Sequence, residues 1–268
     1  MSKVETETYT QIKTSVKHLL NIDLNHYKEE QMKRRLDSWL ARSRASSWND
    51  YFALLRENKD ELEKFRNYLT INVTEFFRDP ERWAALRRDI LPRLLAETER
   101  DPQRRGALRV WSAGCSVGVE AYTLAILLEE VAPGKPHFLL ASDLDRGALA
   151  KARAGGPYLA EETRNLTPEQ RIRFLSPSAP FFVKPEVVRK VTFREQNLLN
   201  DPFESGFDLI VCRNVIIYFT NEAKTLLYRK FHQALRPGGV LFLGGTEIMP
   251  RPAELGFRNA GISFYMKE

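Results

Sequence analysis

The sequence predicts a doubly wound, Rossmann-like α/β sheet domain preceded by a smaller all-helical domain. Two observations support this prediction. Up to about residue 105 the apolar residues recur only at helical spacing, whereas after it short apolar strands alternate with helices. Such alternation is typical of a parallel sheet that is covered by helices on both faces. Because ligands of these sheets bind beyond the carboxyl ends of the strands, we expect the functional residues there.

The helical region divides into amphipathic segments. Their apolar residues share helical spacing in four groups: Ile12 to Leu20; Met32, Leu36, Trp39 and Leu40; Tyr51, Phe52 and Leu55; Leu62, Phe65 and Leu69. Ser47 and Asp50 resemble a capping box for the third group. Asp79-Pro80 is a good N-cap and N1 pair for a helix from Glu81 onward. We therefore predict a helical domain at 1–80, a linker helix at 81–105 and the sheet domain at 106–268.

The sheet domain is predicted from alternating segments. The predicted strands are 107–112, 137–142, 191–194, 207–212, 240–243 and 262–266, and the predicted helices are 117–130, 145–154 and 220–235. The stretch 156–190 interrupts this alternation. It has a capping box from Thr167 to Gln170, followed by Pro-rich chain and an apolar run from Phe181 to Val188. We expect a small β-subdomain to be inserted there.

Composition narrows the class of protein without identifying it. The chain has 268 residues, of which 43% are hydrophobic and 28% charged, as in ordinary soluble proteins. The N-terminus has no apolar targeting segment and no apolar run is long enough for a membrane span, so we expect a cytoplasmic protein without membrane insertion. The two cysteines are far apart and form no CxxC pattern, which indicates neither a disulfide framework nor a zinc site. We expect no metal.

The net charge of +6 leaves the partner open. A basic surface is compatible with nucleic acid, an anionic membrane or an acidic protein. Acidic and basic residues are interspersed along the chain, however, so a mildly basic solvated surface explains the charge equally well.

The first candidate motif is the glycine turn between the first predicted strand and its helix. It contains Gly114 and Gly118 in Trp-Ser-Ala-Gly-Cys-Ser-Val-Gly-Val-Glu, which ends at Glu120. The spacing is neither GxGxxG nor a phosphate-binding P-loop, so a dehydrogenase and a P-loop nucleotide hydrolase are disfavoured. A GxxxG turn in this place is typical of S-adenosylmethionine (SAM) sites. A tight strand–helix turn without a ligand is the alternative.

Two further motifs follow later strands of the predicted sheet. Asp143 ends the second strand, where an acid can accept hydrogen bonds from ribose hydroxyls, although capping of the next helix is also possible. Arg213 and Asn214 follow the buried fourth strand, and Tyr218 follows them, where simple packing is its alternative role. The DPPY-type motif of amino-directed nucleic-acid methyltransferases is absent here, which disfavours methylation of a base.

A fourth motif closes the helical region. Asn72, Thr74 and Arg78 share it with Phe76 and Phe77. From physical chemistry alone, this segment is a helix–helix turn with packed phenylalanines.

Taken in order, these motifs resemble one known family. Asn-x-Thr-x-Phe-Phe-Arg, the glycine turn, Ala-Ser-Asp-Leu-Asp, Asn-Leu-Leu at 197–199, Cys-Arg-Asn-Val-x-Ile-Tyr-Phe and Leu-x-Pro-Gly-Gly with Gly-Thr-Glu at 245–247 are similar to the chemotaxis-receptor methyltransferases of the CheR family. The resemblance covers nearly the whole chain. One departure lies at 118–122, where the family usually has Gly-Glu-Glu-Pro-Tyr and this chain has Gly-Val-Glu-Ala-Tyr.

The resemblance implies roles for individual residues. Catalysis would involve Arg78 and Tyr218, which would flank the reacting methyl group. Glu120 would bind the amino end of SAM and Asp143 the ribose. The complete set implied to bind the cofactor is Asn72, Thr74, Arg78, Glu120, Asp143, Asn197, Leu198, Arg213 and Asn214. Asn72, Thr74 and Arg78 would reach the cofactor across the domain junction.

The resemblance also implies a reaction and a partner. The reaction is methyl esterification of glutamate side chains on the cytoplasmic methylation helices of chemoreceptors during sensory adaptation, with S-adenosylhomocysteine as the product. The acidic receptor helices would face the basic residues Lys33, Arg34, Arg35, Arg42 and Arg44. For any single one of these residues, a place on a solvated helix face is the alternative.

We expect a monomer that binds no nucleic acid. The short, glycine-free loop 176–180 suggests no dependence on a peptide at the receptor C-terminus. There are two alternatives. One is a SAM-dependent methyltransferase that acts on RNA or a small molecule, and the other is a non-catalytic SAM-binding regulator.

Overall fold

The computed structural model describes residues 3–43, 45–70 and 74–268, with side chains described from residue 8 onward. The chain forms two compact units. The first comprises Met1–Ile71 together with Tyr218–Thr225, and the second comprises Asn72–Ile217 and Leu226–Glu268. The segment around Arg78 thus belongs to the unit that contains the sheet, whereas the sequence pattern placed residues 72–80 with the N-terminal helices.

The first unit is helical. It contains α1 (Lys3–Leu20), a 3-10 turn (Leu24–His26), α2 (Glu29–Arg42), α3 (Trp48–Glu57) and α4 (Lys59–Leu69). Ser47 begins α3 by accepting a hydrogen bond from the Asp50 amide at 3.2 Å. Most of the apolar residues used to predict these helices are buried: Ile12, Leu20, Met32, Leu36, Tyr51, Phe52, Leu55, Phe65 and Leu69. The predicted helical faces are therefore confirmed, because their apolar side chains form the core of this unit.

A later segment of the chain completes the first unit. The Tyr218 carbonyl accepts a hydrogen bond from the Lys28 amide at 3.0 Å, and the Thr220 amide donates to the His26 carbonyl at 2.8 Å. The Phe219 ring packs edge-on against Tyr27, with ring centroids 5.1 Å apart. This segment follows the fourth strand, so its association with the helices joins distant parts of the sequence.

The second unit contains a seven-stranded sheet. Its strands are β1 (Arg109–Ala113), β2 (Phe138–Asp143), β3 (Val191–Glu195), β4 (Phe207–Cys212), β5 (Leu235–Leu243), β6 (Phe257–Gly261) and β7 (Phe264–Lys267), in the order β3-β2-β1-β4-β5-β7-β6. The first five strands pair in parallel, as predicted.

The last two strands depart from this parallel arrangement. β7 runs antiparallel to both β5 and β6. The connection between β6 and β7 is too short for a crossover, so it can join only antiparallel neighbours. β6 was not predicted, because its pairing leaves Arg258 and Asn259 exposed and gives little alternation of apolar residues.

Helices flank the strands. α5 (Pro80–Ala85) continues through a π turn (Leu86–Ile90) into α6 (Leu91–Glu99), and α7 (Val119–Val131) and α8 (Arg146–Arg153) follow β1 and β2. The predicted helix after the fourth strand is α11 (Asn221–Ala234).

The insertion at 156–190 differs in detail from the predicted β-subdomain. It contains the short helices α9 (Pro168–Phe174) and α10 (Pro185–Val188) and two isolated β-bridges, Tyr158 to Phe181 and Leu175 to Val183, rather than strands of its own. Prolines on both sides of the bridges lack the N–H group that a longer ladder would need. Tyr158, Phe174 and Phe181 belong to the core of the second unit, so the insertion packs as part of it.

Three further features can be stated for the described residues. None of their helices is both long and apolar enough to cross a membrane. Cys115 and Cys212 are both buried free thiols. Nowhere in the described ranges do three or more His, Cys, Asp or Glu side chains form a group that could hold a metal ion.

Gly114 is expected to be essential for stability. Its φ of +83° is left-handed, and an added Cβ would lie 2.5 Å from Cγ2 of Val215. We expect Gly114→Ala to lower the free energy of unfolding by about 2–4 kcal/mol, because the left-handed cost and an overpacked contact add. Gly134 has a φ of +71° and open space around its Cβ position, so Gly134→Ala should cost only about 1 kcal/mol. Urea unfolding measures both values, and equal losses would contradict the contribution of the Val215 contact.

Candidate functional site

The carboxyl ends of the parallel strands bring the candidate residues together. The amides of Gly114 and Cys115 both donate to the Ser142 carbonyl, at 2.8 and 2.9 Å, and so join the turn after β1 to the end of β2. Gly118 begins α7 with a φ of +90°, and an added Cβ would lie 2.8 Å from Cβ of Ala152 in α8. The glycine turn is therefore tight because α7 and α8 approach closely, and α7 begins shortly after the carboxyl end of β1.

Glu120 lies in the first turn of α7, next to the end of β1. Its Oε1 accepts a hydrogen bond from the Ser112 hydroxyl at 2.8 Å, and the side chain is buried. Burial raises the pKa of Glu120 to about 7, although Arg213, the Ser112 hydrogen bond and Arg78 oppose this rise. A buried carboxylate of this kind is ready to bind a cationic group, which would stabilise its ionised form.

Asp143 ends β2 and does not cap a helix. Its two carboxylate oxygens accept hydrogen bonds from the amides of Ser116 at 2.7 Å and Asp145 at 2.9 Å. Asp145 is the N-cap of α8, with its carboxylate bonded to the Ala148 amide. Burial raises the pKa of Asp143 to about 6. Each oxygen keeps a second lone pair, so Asp143 can still accept hydrogen bonds from two hydroxyl groups.

Asn197 and Leu198 follow β3 beside Asp143. The amide of the preceding residue, Gln196, donates to the Asp143 carbonyl at 2.9 Å. The Asn197 amide donates to Asp201 at 2.8 Å, and Nζ of Lys230 donates to the Leu198 carbonyl at 2.7 Å. These bonds fix a short loop at the same edge of the sheet.

Arg213 follows β4 but its side chain is buried. The guanidinium lies 5.3 Å from the Trp83 ring centroid and 5.0 Å from that of Phe242, and its Nη2 is 2.6 Å from Oδ2 of Asp79. The pKa of Arg213 is lowered because burial disfavours its charged form. Next to it, Asn214 has a left-handed φ of +60°.

Glu247 is a residue of this region to which the sequence analysis gave no role. Its carboxylate accepts hydrogen bonds from the amides of Asn214 at 2.8 Å, Ile216 at 2.9 Å and Gly244 at 2.7 Å. Its side chain thereby ties the loop after β4 to the loop after β5. The Gly-Thr-Glu sequence after a strand was the available signal, but the partners of the carboxylate are backbone groups that no sequence pattern marks.

Arg78 lies in the segment before α5, which places it near the same region. Thr74 and Arg78 are partly buried, and the Arg78 carbonyl accepts a hydrogen bond from the Trp83 indole at 2.9 Å. The charge of Arg78 contributes to lowering the pKa of both Glu120 and Arg213, so the second unit itself brings these three side chains into electrostatic contact.

The binding and catalytic roles of all the candidate residues stay predictions, and two of these residues are not part of the contacts described above. Asn72 lies outside the described residues. Tyr218 belongs to the first unit, where its backbone bonds to Lys28.

The arrangement defines a class of protein. The buried carboxylate of Glu120, the partly buried carboxylate of Asp143, the start of α7 and polar loops from four parallel strands meet at one edge of a doubly wound sheet. This suits a nucleoside ligand that also carries positive charge. These features are those of a SAM-dependent methyltransferase.

Comparisons with known proteins identify the family. Residues 72–265 match the SAM-binding domain of the CheR methyltransferases, and residues 7–70 match the all-alpha domain of the same family. The chain is 41% identical over 253 residues to a chemotaxis protein methyltransferase of Listeria monocytogenes, covering 94% of each chain. It is 36% identical over 238 residues to that of Escherichia coli, covering 84% of this chain and 79% of the relative. The chain therefore belongs to the CheR methyltransferase family.

Proposed function

We propose that this enzyme methylates glutamate side chains on the cytoplasmic methylation helices of chemotaxis receptors. The main support is the match of both domains to one family, together with relatives described as chemotaxis protein methyltransferases that align over nearly their whole length. The product of the cofactor is S-adenosylhomocysteine. Methyl esterification of receptors in the cytoplasm adjusts their signalling during sensory adaptation.

The residues at the sheet edge fit SAM. Glu120 would hold the amino end of the cofactor, because its buried carboxylate needs a positive partner to remain ionised at neutral pH. Asp143 would accept hydrogen bonds from the ribose hydroxyls, and Asn197 with Leu198 would border the adenine. Thr74, Arg78, Arg213 and Asn214 would line the rest of the site, with Asn72 among them.

The chemistry requires positioning more than acid–base catalysis. SAM supplies a methyl group that is already activated by the sulfonium. The acceptor is a glutamate carboxylate with an ordinary pKa of about 4.3, so it is ionised near neutrality and no general base is needed. Arg78 would orient this carboxylate through charge-assisted hydrogen bonds, and Tyr218 would flank the other side of the reacting group. Arg78 must leave the attacking oxygen weakly held, because a tight bond would lower its nucleophilicity.

Transfer of labelled methyl groups tests this function. The enzyme is incubated with methyl-labelled SAM and a receptor cytoplasmic fragment. We expect base-labile label that is released as methanol, because a carboxyl ester hydrolyses in base. A fragment whose methylated glutamates are replaced by alanine is the control and should gain no label. Base-stable label, or label on added RNA instead of the receptor, would contradict the proposal.

The basic residues of α2 are the proposed contact for the receptor. Some of them are exposed, whereas others are bonded within the first unit. Arg34 and Arg42 are exposed. Arg35 instead donates hydrogen bonds to the carbonyls of Tyr68 and Thr70 and so fixes the end of α4. Lys33 pairs with Glu29 at 2.6 Å. Arg44 lies outside the described residues. Arg34 and Arg42 are therefore the better positions for a test of binding.

Reversal of these two charges should weaken receptor binding alone. We expect Arg34→Glu with Arg42→Glu to raise the KM for the receptor fragment by about tenfold at low salt, because like charges would face the acidic receptor helices. The Kd for SAM, measured by calorimetry, should stay unchanged. Arg56→Glu on α3 is the matched control, since Arg56 is also exposed. An unchanged KM in the double variant would argue against this surface.

A further inference from the structure

The segment that contains Arg78 is a strained turn. The residues on either side of it are left-handed, with a φ of +48° at Phe77 and +57° at Asp79. This conformation costs a residue other than glycine about 1–2 kcal/mol, and it is unusual for a bulky side chain. It persists only where surrounding contacts hold it. The contacts that hold this turn therefore determine how Arg78 is presented.

The main chain before and after Arg78 is fixed by hydrogen bonds within the second unit. The Phe77 amide donates to the hydroxyl of Thr123 at 3.1 Å, and Thr123 is fully buried in α7. The Trp83 indole donates to the Arg78 carbonyl at 2.9 Å. Phe77 also packs edge-on against Trp83, with ring centroids 6.0 Å apart. These contacts fix the main chain at Phe77 and Arg78. Asp79, the next residue, is fixed by its own side chain.

Asp79 occupies the N-cap position of α5 without acting as a side-chain cap. An aspartate at an N-cap ordinarily accepts a hydrogen bond from an amide in the first helical turn. Here no such bond forms, and Oδ2 of Asp79 lies 2.6 Å from Nη2 of Arg213. Only 2% of the Arg213 side chain is exposed, and aromatic rings of Trp83 and Phe242 flank it. A rigid, buried arginine at the end of β4 thus anchors the turn.

We propose that the Asp79–Arg213 ion pair positions Arg78 for methyl transfer by holding this strained turn. The inference rests on the proposed function, in which Arg78 orients the acceptor carboxylate. Asp79 is a positioning residue, since it acts through its neighbour and touches neither substrate. The ion pair connects the loop after β4 to the segment before α5 and so fixes the position of these two parts of the site relative to each other.

A double-mutant cycle with Asp79→Asn tests the coupling. The substitution removes the charge and keeps the shape. In the otherwise unchanged enzyme, we expect kcat to fall about tenfold, which corresponds to about 1.4 kcal/mol. In an Arg78→Ala background, the same substitution should change kcat less than about twofold, because the residue that it positions is already gone. An equal loss in both backgrounds, or no loss in either, would overturn the proposal.

Hydrogen exchange tests the turn without any substrate. We expect the amides of residues 76–82 to exchange about tenfold faster in Asp79→Asn, because the turn loses its anchor and opens more often. Unchanged exchange would overturn the inference even if the enzyme methylates receptors. Conversely, faster exchange in an enzyme that methylates no receptor would contradict only the proposed function.

Two variants control for general loss of structure. Glu81→Gln removes an exposed acid from the start of α5 and should leave both exchange and kcat unchanged. Asp79→Glu keeps the charge on a longer side chain and should restore most of the activity that Asp79→Asn loses. A loss in Asp79→Glu as large as that in Asp79→Asn would overturn the role of the charge. If Asp79→Asn does not fold, the cycle is measured with Asp79→Ser, which also removes the charge, and the same criterion applies.

Discussion

Replacement of Arg78 by alanine should lower kcat for methyl transfer by about 100- to 1000-fold, the range seen when a preorganised donor is removed from a catalytic site. The guanidinium can hold the non-attacking oxygen of the carboxylate with a charge-assisted hydrogen bond, and alanine offers none. Its charge already acts on Glu120 and Arg213 at the edge of the sheet. The acceptor would then meet the methyl group in many orientations, of which few permit in-line attack.

Initial rates at saturating SAM and receptor measure this effect. Arg78→Lys separates charge from geometry, since lysine keeps the charge without the planar fork, and we expect an intermediate kcat. Arg82→Ala removes an arginine from the neighbouring α5 and serves as the matched control. Turnover of Arg78→Ala close to that of the unchanged enzyme would exclude Arg78 from catalysis.

Replacement of Glu120 by glutamine should raise the Kd for SAM by about 100-fold or more, because loss of one partner from a buried ion pair costs about 3–5 kcal/mol. Glutamine preserves the size of the side chain and can still accept the hydrogen bond from Ser112. The loss of SAM affinity would therefore measure the contribution of the Glu120 charge. Isothermal calorimetry with SAM and with S-adenosylhomocysteine measures it, and a Kd within threefold of the original would remove Glu120 from the cofactor site.

The pH dependence of SAM binding follows from the same carboxylate. Without the cofactor, burial raises the pKa of Glu120 to about 7. A bound cation favours the ionised form, so the affinity should be full above this pKa and fall as the pH drops below it, by up to about tenfold per pH unit. Asp143 adds a second decrease below its pKa of about 6.

Glu120→Gln should remove the decrease in SAM affinity below about pH 7 and keep the decrease below about pH 6. Kd values measured between pH 5.5 and 8.5 distinguish the two groups. Equal pH profiles of the two proteins would show that Glu120 does not titrate on binding.

Features that depend on nearby residues were predictable from the sequence. The buried strand β4 matches its prediction because six apolar-rich positions lie together between turns, and all of them are buried. The capping box at Thr167 and Gln170 forms as predicted, since both partners belong to one helical turn. The same locality explains why the order of strands and helices around the glycine turn could be derived.

Features that depend on distant residues were not predictable. Asp79 has the sequence signature of an N-cap, yet its carboxylate bonds to Arg213, which is 134 positions away. Arg35 has the appearance of a surface charge, yet it holds the last carbonyls of α4. In both cases a charge-assisted hydrogen bond of a buried or partly buried arginine decides the contact, and the sequence does not indicate which groups will meet.

The return of Tyr218–Thr225 to the N-terminal helices has a consequence for dissection of the enzyme. Cleavage of the chain near residue 71 would not yield two autonomous folding units. The helical fragment would lack the segment that bonds to His26 and Lys28, and the larger fragment would expose the buried Phe219. A chain cut there should thus form a nicked protein whose pieces remain associated, as in a complementing pair of fragments.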